Sequence, residues 1–450
     1  MATKQESSVS LKLLIDEKTN RVVAAEAEKD FVDILFSFLT FPMGTIIRVT
    51  SGEQVKIPVT IGCMNNLYRS IQNSPVNWHT EFCKTMVLNP RNPCAVYCKK
   101  LKVNIDDSGS EMKYVCSRQG CSYFSKYQNV SCPCSIGGTT KEMKSDYSWS
   151  SVTNCRYEGA FLQKGSIMFL ISDDLQIRPA SPHFLAQLLS SLGLSETSRI
   201  REMPVEVSKE QVTRLLARSL VSKSPLSDVF LQGAKNTHAK LERALSSSNG
   251  GFQAIDYKSA SVLYLKVKVN KNTNKILYAE ATDEFFDFLC SLLTVSIGSV
   301  VRALQGNSGL ECIDNLYTSV KDLDEKWFGS GVKAIILDPW IAQHHNCKKQ
   351  PLNFQDRIEH GYMIDPRNGD NNFAEEPSLF IVTDDLEVNP LSFASSFQVM
   401  REVKVPFSDI EEQVITVGFK EALSLLKATL TSPSSALNNG LSTFLKKQKA

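Results

Sequence analysis

Residues 10–49, SLKLLIDEKTNRVVAAEAEKDFVDILFSFLTFPMGTIIRV, return at 264–303 as YLKVKVNKNTNKILYAEATDEFFDFLCSLLTVSIGSVVRA. At this constant offset of 254, 15 of the 40 positions are identical. The match continues at offset 249, where CMNNLYRSI at Cys63 meets CIDNLYTSV at Cys312, Trp78 meets Trp327 and Cys98 meets Cys347. Further on, FLISDDLQIRPAS at Phe169 meets FIVTDDLEVNPLS at Phe380 at offset 211, and Arg201-Glu202 is aligned with Arg401-Glu402. Self-similarity of this length means one folding unit used twice. Any fold for the chain must therefore accommodate a tandem pair.

The offset falls from 249 to 211 between Asp107 and Phe169, so the first copy carries 38 extra residues there. The expected organisation is a first module over 1–235 with an insert at about 108–165, a linker over 236–258, and a second module over 259–450. The linker assignment rests on the Ser/Gly run from Ser246 to Gly251, which follows one periodic segment and precedes a strand-like one.

Within a module, Leu11 to Ile15 is apolar and β-prone, DEKTN has turn composition, and RVVAAEA returns as a second strand. Phe31 to Leu39 has helical length. SIMFLI and LQI flank the turn SDD as another hairpin, followed by the helical PHFLAQLLSSLGL. IREMPVEV then predicts a strand, and KEQVTRLLARSLV a helix with Ser208 as its N-cap. Hairpins flanked by helices give an α+β class rather than a doubly wound parallel sheet.

The chain has 12 cysteines, and Cys116, Cys121, Cys132 and Cys134 all fall inside the insert with no counterpart in the second copy. Their spacing, C-x4-C-x10-C-x-C, offers two pairs of soft ligands for two turns, the arrangement tetrahedral zinc typically takes, although neither pair has the standard C-x2-C spacing. A short insert buries little apolar surface, so a metal would supply its folding energy. Structural zinc is the expected cofactor, with Cys94, Cys98 and Cys155 outside the ligand set. Four free thiols and a redox pair are the alternatives. Removing the metal is expected to unfold the insert and spare both modules.

A net charge of +2 gives no general affinity for nucleic acid or an anionic membrane. Ten Lys/Arg against five Asp/Glu between Lys84 and Asp146, interleaved with Tyr114, Tyr123, Phe124 and Tyr127, are modest for phosphate binding, and nucleic acid is not the expected partner. The most apolar long stretch, from Phe31, is broken by Asp33, Pro42 and Gly44, so no membrane span is expected. The N-terminal MATKQESSVS lacks the apolar core of a signal peptide. The expected location is cytoplasmic or nuclear, where thiols stay reduced.

Asp33, Ser37 and Thr40 form one polar stripe at helical spacing, kept as Asp287, Ser291 and Thr294. Glu26/Glu280 and Arg48/Arg302 are also kept. A solvent-facing or locally satisfied stripe competes with a ligand site, and convergence of Asp33, Ser37 and Arg48 in one cavity would favour the latter. Asp173-Asp174 and Asp384-Asp385 have the composition of hairpin turns. His344-His345 beside Cys347 is too slight a pattern for a metal site, and no phosphate-loop, zincin or nucleophile-elbow motif occurs.

The segments LKLLIDEKTNRVVAAEAEKDFVDILFSFLTFPMGTIIRV, NNLYRSI, LNPRNP, ISDDLQIRPAS and SPLSDVFL resemble the plant family called domain of unknown function 674. The resemblance implies a plant protein with a duplicated module and supplies no catalytic residues. Two readings follow: a non-catalytic interaction or scaffold protein with a zinc-stabilised insert and an unknown protein partner, or a small-molecule-binding enzyme with its site between the modules.

Overall fold

The computed structural model describes residues 8–446, apart from 53–58, 74, 109–112, 117, 119, 135–142, 146–158, 164, 166, 194–198, 232–260 and 359–361. The expected linker and Cys155 lie outside the described residues.

The first half runs β1 (Val9–Asp16), β2 (Arg21–Glu28), α1 (Lys29–Phe38), α2 (Met43–Thr50), α3 (Met64–Asn73), α4 (Glu81–Leu88), α5 (Ala95–Cys98), β3 (Tyr114–Cys116), β4 (Tyr123–Ser125), β5 (Met143–Ser145), β6 (Met168–Ser172), β7 (Ile177–Pro179), α6 (Pro182–Ser191), β8 (Ile200–Val207), α7 (Lys209–Ser219) and α8 (Pro225–Phe230). The second runs β9 (Leu263–Asn270), β10 (Lys275–Thr282), α9 (Asp283–Thr294), α10 (Ile297–Ala303), α11 (Glu311–Asp322), α12 (Val332–Leu337), β11 (Tyr362–Met363), β12 (Leu379–Thr383), β13 (Val388–Pro390), α13 (Phe393–Val403), β14 (Ile410–Val417), α14 (Phe419–Thr431) and α15 (Ala436–Leu441).

Two five-stranded sheets share one order, β7-β6-β2-β1-β8 and β13-β12-β10-β9-β14. The fold is α+β, with two homologous modules and a small cysteine-rich sheet added to the first. Local chemistry repeats between the copies. The first hairpin turns through left-handed Asn20 and Asn274, a conformation asparagine tolerates. The second passes through Leu175 and Leu386, both at positive φ and both buried. Ser208 and Gln211 close a capping box at the start of α7. Strand register corrects one alignment. β8 faces β1 as β14 faces β9, with Glu202 opposite Leu14 and Glu412 opposite Lys268. The counterpart of Arg201-Glu202 is therefore Glu411-Glu412, whereas Arg401-Glu402 lies on α13.

The halves are interlocked around an approximate two-fold axis. The α1–α2 and α9–α10 turns meet there: Met43 N–H donates to the Val295 carbonyl at 3.0 Å, and Gly298 N–H to the Leu39 carbonyl at 2.8 Å. A Cβ on Gly298 would sit 2.8 Å from the Leu39 oxygen, which is why glycine stands there. The α3 helix leaves its own sheet and caps the other. Asn66 donates to the Asp385 carbonyl at 3.1 Å, and Ser70 Oγ bridges both backbone groups of Val388. α11 does the reverse, with Asn315 on the Asp174 carbonyl at 3.0 Å and Ser319 on Ile177 N–H at 2.8 Å. The thiols of Cys63 and Cys312 donate to Ser432 and Ser222 carbonyls in the opposite half. One continuous apolar core runs through both modules.

Candidate metal centre

The insert is built on β3 and β4, paired antiparallel with Val115 opposite Phe124. Gly120, left-handed at φ 79°, turns the chain so that Cys121 comes back beside Cys116. Cys132 and Cys134 arrive from the loop after β4. The four sulfurs lie within 4.8 Å of one another. Cys116–Cys134 is 3.3 Å, Cys132–Cys134 3.2 Å and Cys121–Cys132 3.7 Å. Sulfurs around a tetrahedral zinc stand roughly 3.8 Å apart, given Zn–S bonds of about 2.3 Å, whereas a disulfide closes to about 2.05 Å. All of these separations are longer than a disulfide bond, and all four cysteines are free.

The cluster can hold a metal ion, and its donor set is entirely sulfur. Cys116 and Cys132 are buried, Cys121 and Cys134 half-buried. Burial opposes ionisation of Cys116, but the Arg118 backbone and the neighbouring thiols outweigh it and bring Cys116 down to about 7. Burial pushes Cys121 and Cys132 upward. One thiolate is thus favoured, hydrogen-bonded by its neighbours.

The second half completes the cysteine-rich sheet, which sequence reasoning missed. β11 pairs in parallel with β4, Tyr362 opposite Tyr123 and Met363 opposite Phe124. Ile364 N–H donates to the Phe124 carbonyl at 2.8 Å, and its buried side chain packs with Cys116, Val130 and Cys132. Tyr127 Oη meets His345 Nε2 at 3.2 Å. Burial drives His345 down to about 3, so it is a neutral partner of Tyr127. Two of the basic residues near the insert cover rings, Arg91 over Tyr127 and Lys113 over Phe124.

The polar residues shared by both copies do not converge. Asp33 and Asp287 are 2% and 3% exposed. Asp33 Oδ1 accepts from the N–H groups of Phe161 and Leu162, at 3.2 and 2.8 Å. Asp287 accepts from Phe373 and Ala374 at 2.9 and 3.0 Å, one on each oxygen. Burial raises both carboxyls to about 7. Ser37 and Thr40 donate to carbonyls in their own helix. Arg48 forks onto Asp107 and Arg302 reaches Asp338. The stripe is buried, its hydroxyls satisfied within their own helix and its carboxylates by backbone N–H groups from distant segments. Asp173 and Asp384 lie at hairpin turns and also hold the C-terminal helix of their own half through Ser227 and Asn438. A groove of about 230 Å³ lies where the halves meet, lined by Gln176, Arg178, Asn315, Thr318, Ser319 and Asp322; the Thr318 and Ser319 hydroxyls donate to the Asp314 and Asn315 carbonyls.

A family model described as Protein of unknown function (DUF674) matches residues 5–420, and a second match covers 367–450. The chain belongs to the DUF674 family. The second, partial match is consistent with the two copies. No curated protein and no solved structure matches the chain. Among its described residues, this DUF674 chain has no helix long and apolar enough to cross a membrane.

Proposed function

We propose that this chain is a non-catalytic interaction scaffold whose insert binds one structural zinc ion through the thiolates of Cys116, Cys121, Cys132 and Cys134. The observation that carries this reading is the convergence of four sulfurs within 4.8 Å. An all-sulfur set leaves no open position for a substrate or an activated water, so the ion would serve structure rather than chemistry. The modules run 1–235 and 259–450, joined by 236–258, and the zinc-held insert clasps the first onto the second through β11 and Ile364. The shared polar residues support the scaffold reading because the aspartates hold backbone or a turn and the arginines are paired with carboxylates. A protein partner in a reducing compartment, the cytoplasm or nucleus, fits thiols kept available for metal.

Elemental analysis of the full chain, purified under reducing conditions, tests the metal. One zinc per chain is expected, falling to background in Cys116→Ser and Cys132→Ser. A content far below one, unchanged by either substitution, contradicts the reading.

A further inference from the structure

β14 ends the second sheet. Among the described residues it pairs only with β9, in one unbroken register over Ile410–Val417. The matching edge of the first sheet is β8. Lys12 and Lys266 are equivalent positions, and Lys12 faces Pro204 as Lys266 faces Val414. A proline in one copy thus stands where a β-branched residue stands in the other. Proline has no N–H, and a regular edge pair tolerates it only with its ring turned to water. Pro204 therefore closes β8 to any further strand. By the same register, the N–H groups of Glu412, Val414 and Thr416 turn outward from the second sheet. β14 carries no proline, lysine or bulge. Val414 is 50% exposed, and Tyr264 on the adjoining strand 64%.

We infer that β14 pairs antiparallel with β14 of a second copy of this chain, joining two second-module sheets across a two-fold axis. Closure favours a second copy as the occupant. One long open edge per chain gives an interface that ends at two, whereas two open edges would propagate a filament. Apart from β8, the other sheet edges are short: β7, β13 and β5 have three residues each and β11 two. Register favours it too. Side chains keep their faces only if the strand pairs about a residue rather than between two, which leaves two alignments that pair all but one residue of β14. The one centred on Val414 sets Val414 against itself and Glu412 beside Thr416, with no like charges opposed. The one centred on Gln413 sets the Glu412 carboxylate against Val414. An axis at Glu412 would oppose two carboxylates. The inference is independent of the metal site.

Sedimentation of the full chain between about 1 and about 100 µM, the range of a modest interface, reads the assembly. A monomer–dimer equilibrium is expected. Val414→Pro removes the outward N–H and should leave a monomer. Val414→Lys keeps the backbone but places two ammonium groups at the axis, and should weaken the dimer at least tenfold. Pro204→Val opens the second edge and should yield species beyond the dimer. Circular dichroism confirms that each variant folds, and Val414→Lys keeps the test valid if the proline variant does not. Wild-type protein that stays monomeric throughout overturns the inference. So does a dimer unaffected by Val414→Lys, which would place the interface elsewhere, and so does capture of another protein's strand by monomeric chain.

Discussion

Asn66 of the first half donates its side-chain amide to the main-chain carbonyl of Asp385 in the second, at 3.1 Å, and Asn315 repeats the contact on Asp174 at 3.0 Å. Each hairpin turn is closed by a helix from the other copy, so neither half keeps a complete surface alone. Residues 1–235 and 259–450 produced separately should be poorly folded, and should recover a cooperative thermal transition when produced together. Two fragments that each melt cooperatively as monomers would contradict the interlock. Asn66→Ala, which strands a carbonyl, should cost about 1–2 kcal/mol by denaturant unfolding.

Asp33 and Asp287 make stability depend on pH. Their folded values near 7 lie above the usual carboxylate range because burial disfavours the charge. With the folded value raised, their contribution is complete below about pH 4, declines as pH climbs from about 4 to 7, and stays flat above that. The loss is at most about 4 kcal/mol per group. Asp33→Asn should flatten the decline measured by urea unfolding at several pH values.

The two aspartates should also differ in their tolerance of asparagine. Both N–H groups at Asp33 fall on one oxygen, which an asparagine carbonyl can replace. At Asp287 each oxygen takes one, so an amide would set N–H against N–H. Asp287→Asn should be the more destabilising by about 1–2 kcal/mol at pH 7, read from denaturant midpoints.

At the axis, Gly298→Ala drives a Cβ toward the Leu39 and Ile336 carbonyl oxygens at 2.8 and 2.9 Å. Gly44→Ala meets the Val87 and Leu293 oxygens at 3.0 and 3.2 Å. Both should destabilise, Gly298→Ala by about 2–3 kcal/mol and Gly44→Ala by less, since backbone on both sides must yield. Differential scanning calorimetry gives the order.

Metal removal should reach beyond the insert. The sequence alone suggested that both modules would be spared, because the second copy has no cysteine cluster. Ile364 packs on Cys116 and Cys132, however, and its N–H is held by Phe124. Chelation should therefore raise hydrogen exchange at 362–364 together with 114–134. Exchange that rises only in the insert would show the clasp to be one-sided.

The hairpins, the helix from Phe31 and the capped helix after Ser208 were legible because their signals are local: alternation, turn residues and a cap. The four insert cysteines were legible as a group because the second copy lacks them. The exchange of α3 and α11 was not. Both copies carry the same Asn-Leu-Tyr helix and the same Asp-Asp-Leu turn, so the sequence does not say which helix meets which turn. The Asp33 stripe gave no sign of its burial, since the N–H partners of Asp33 lie more than a hundred residues away. β11 has two residues, too few for any periodic signal.

The proposed zinc site needs four thiolates around one ion. X-ray absorption at the zinc edge of the full chain, purified under reducing conditions, measures that directly. Four sulfur neighbours at about 2.3 Å, reduced in Cys121→Ser, are the expected result. Absence of zinc, or a shell mixed with nitrogen or oxygen in the unmodified chain, would contradict it.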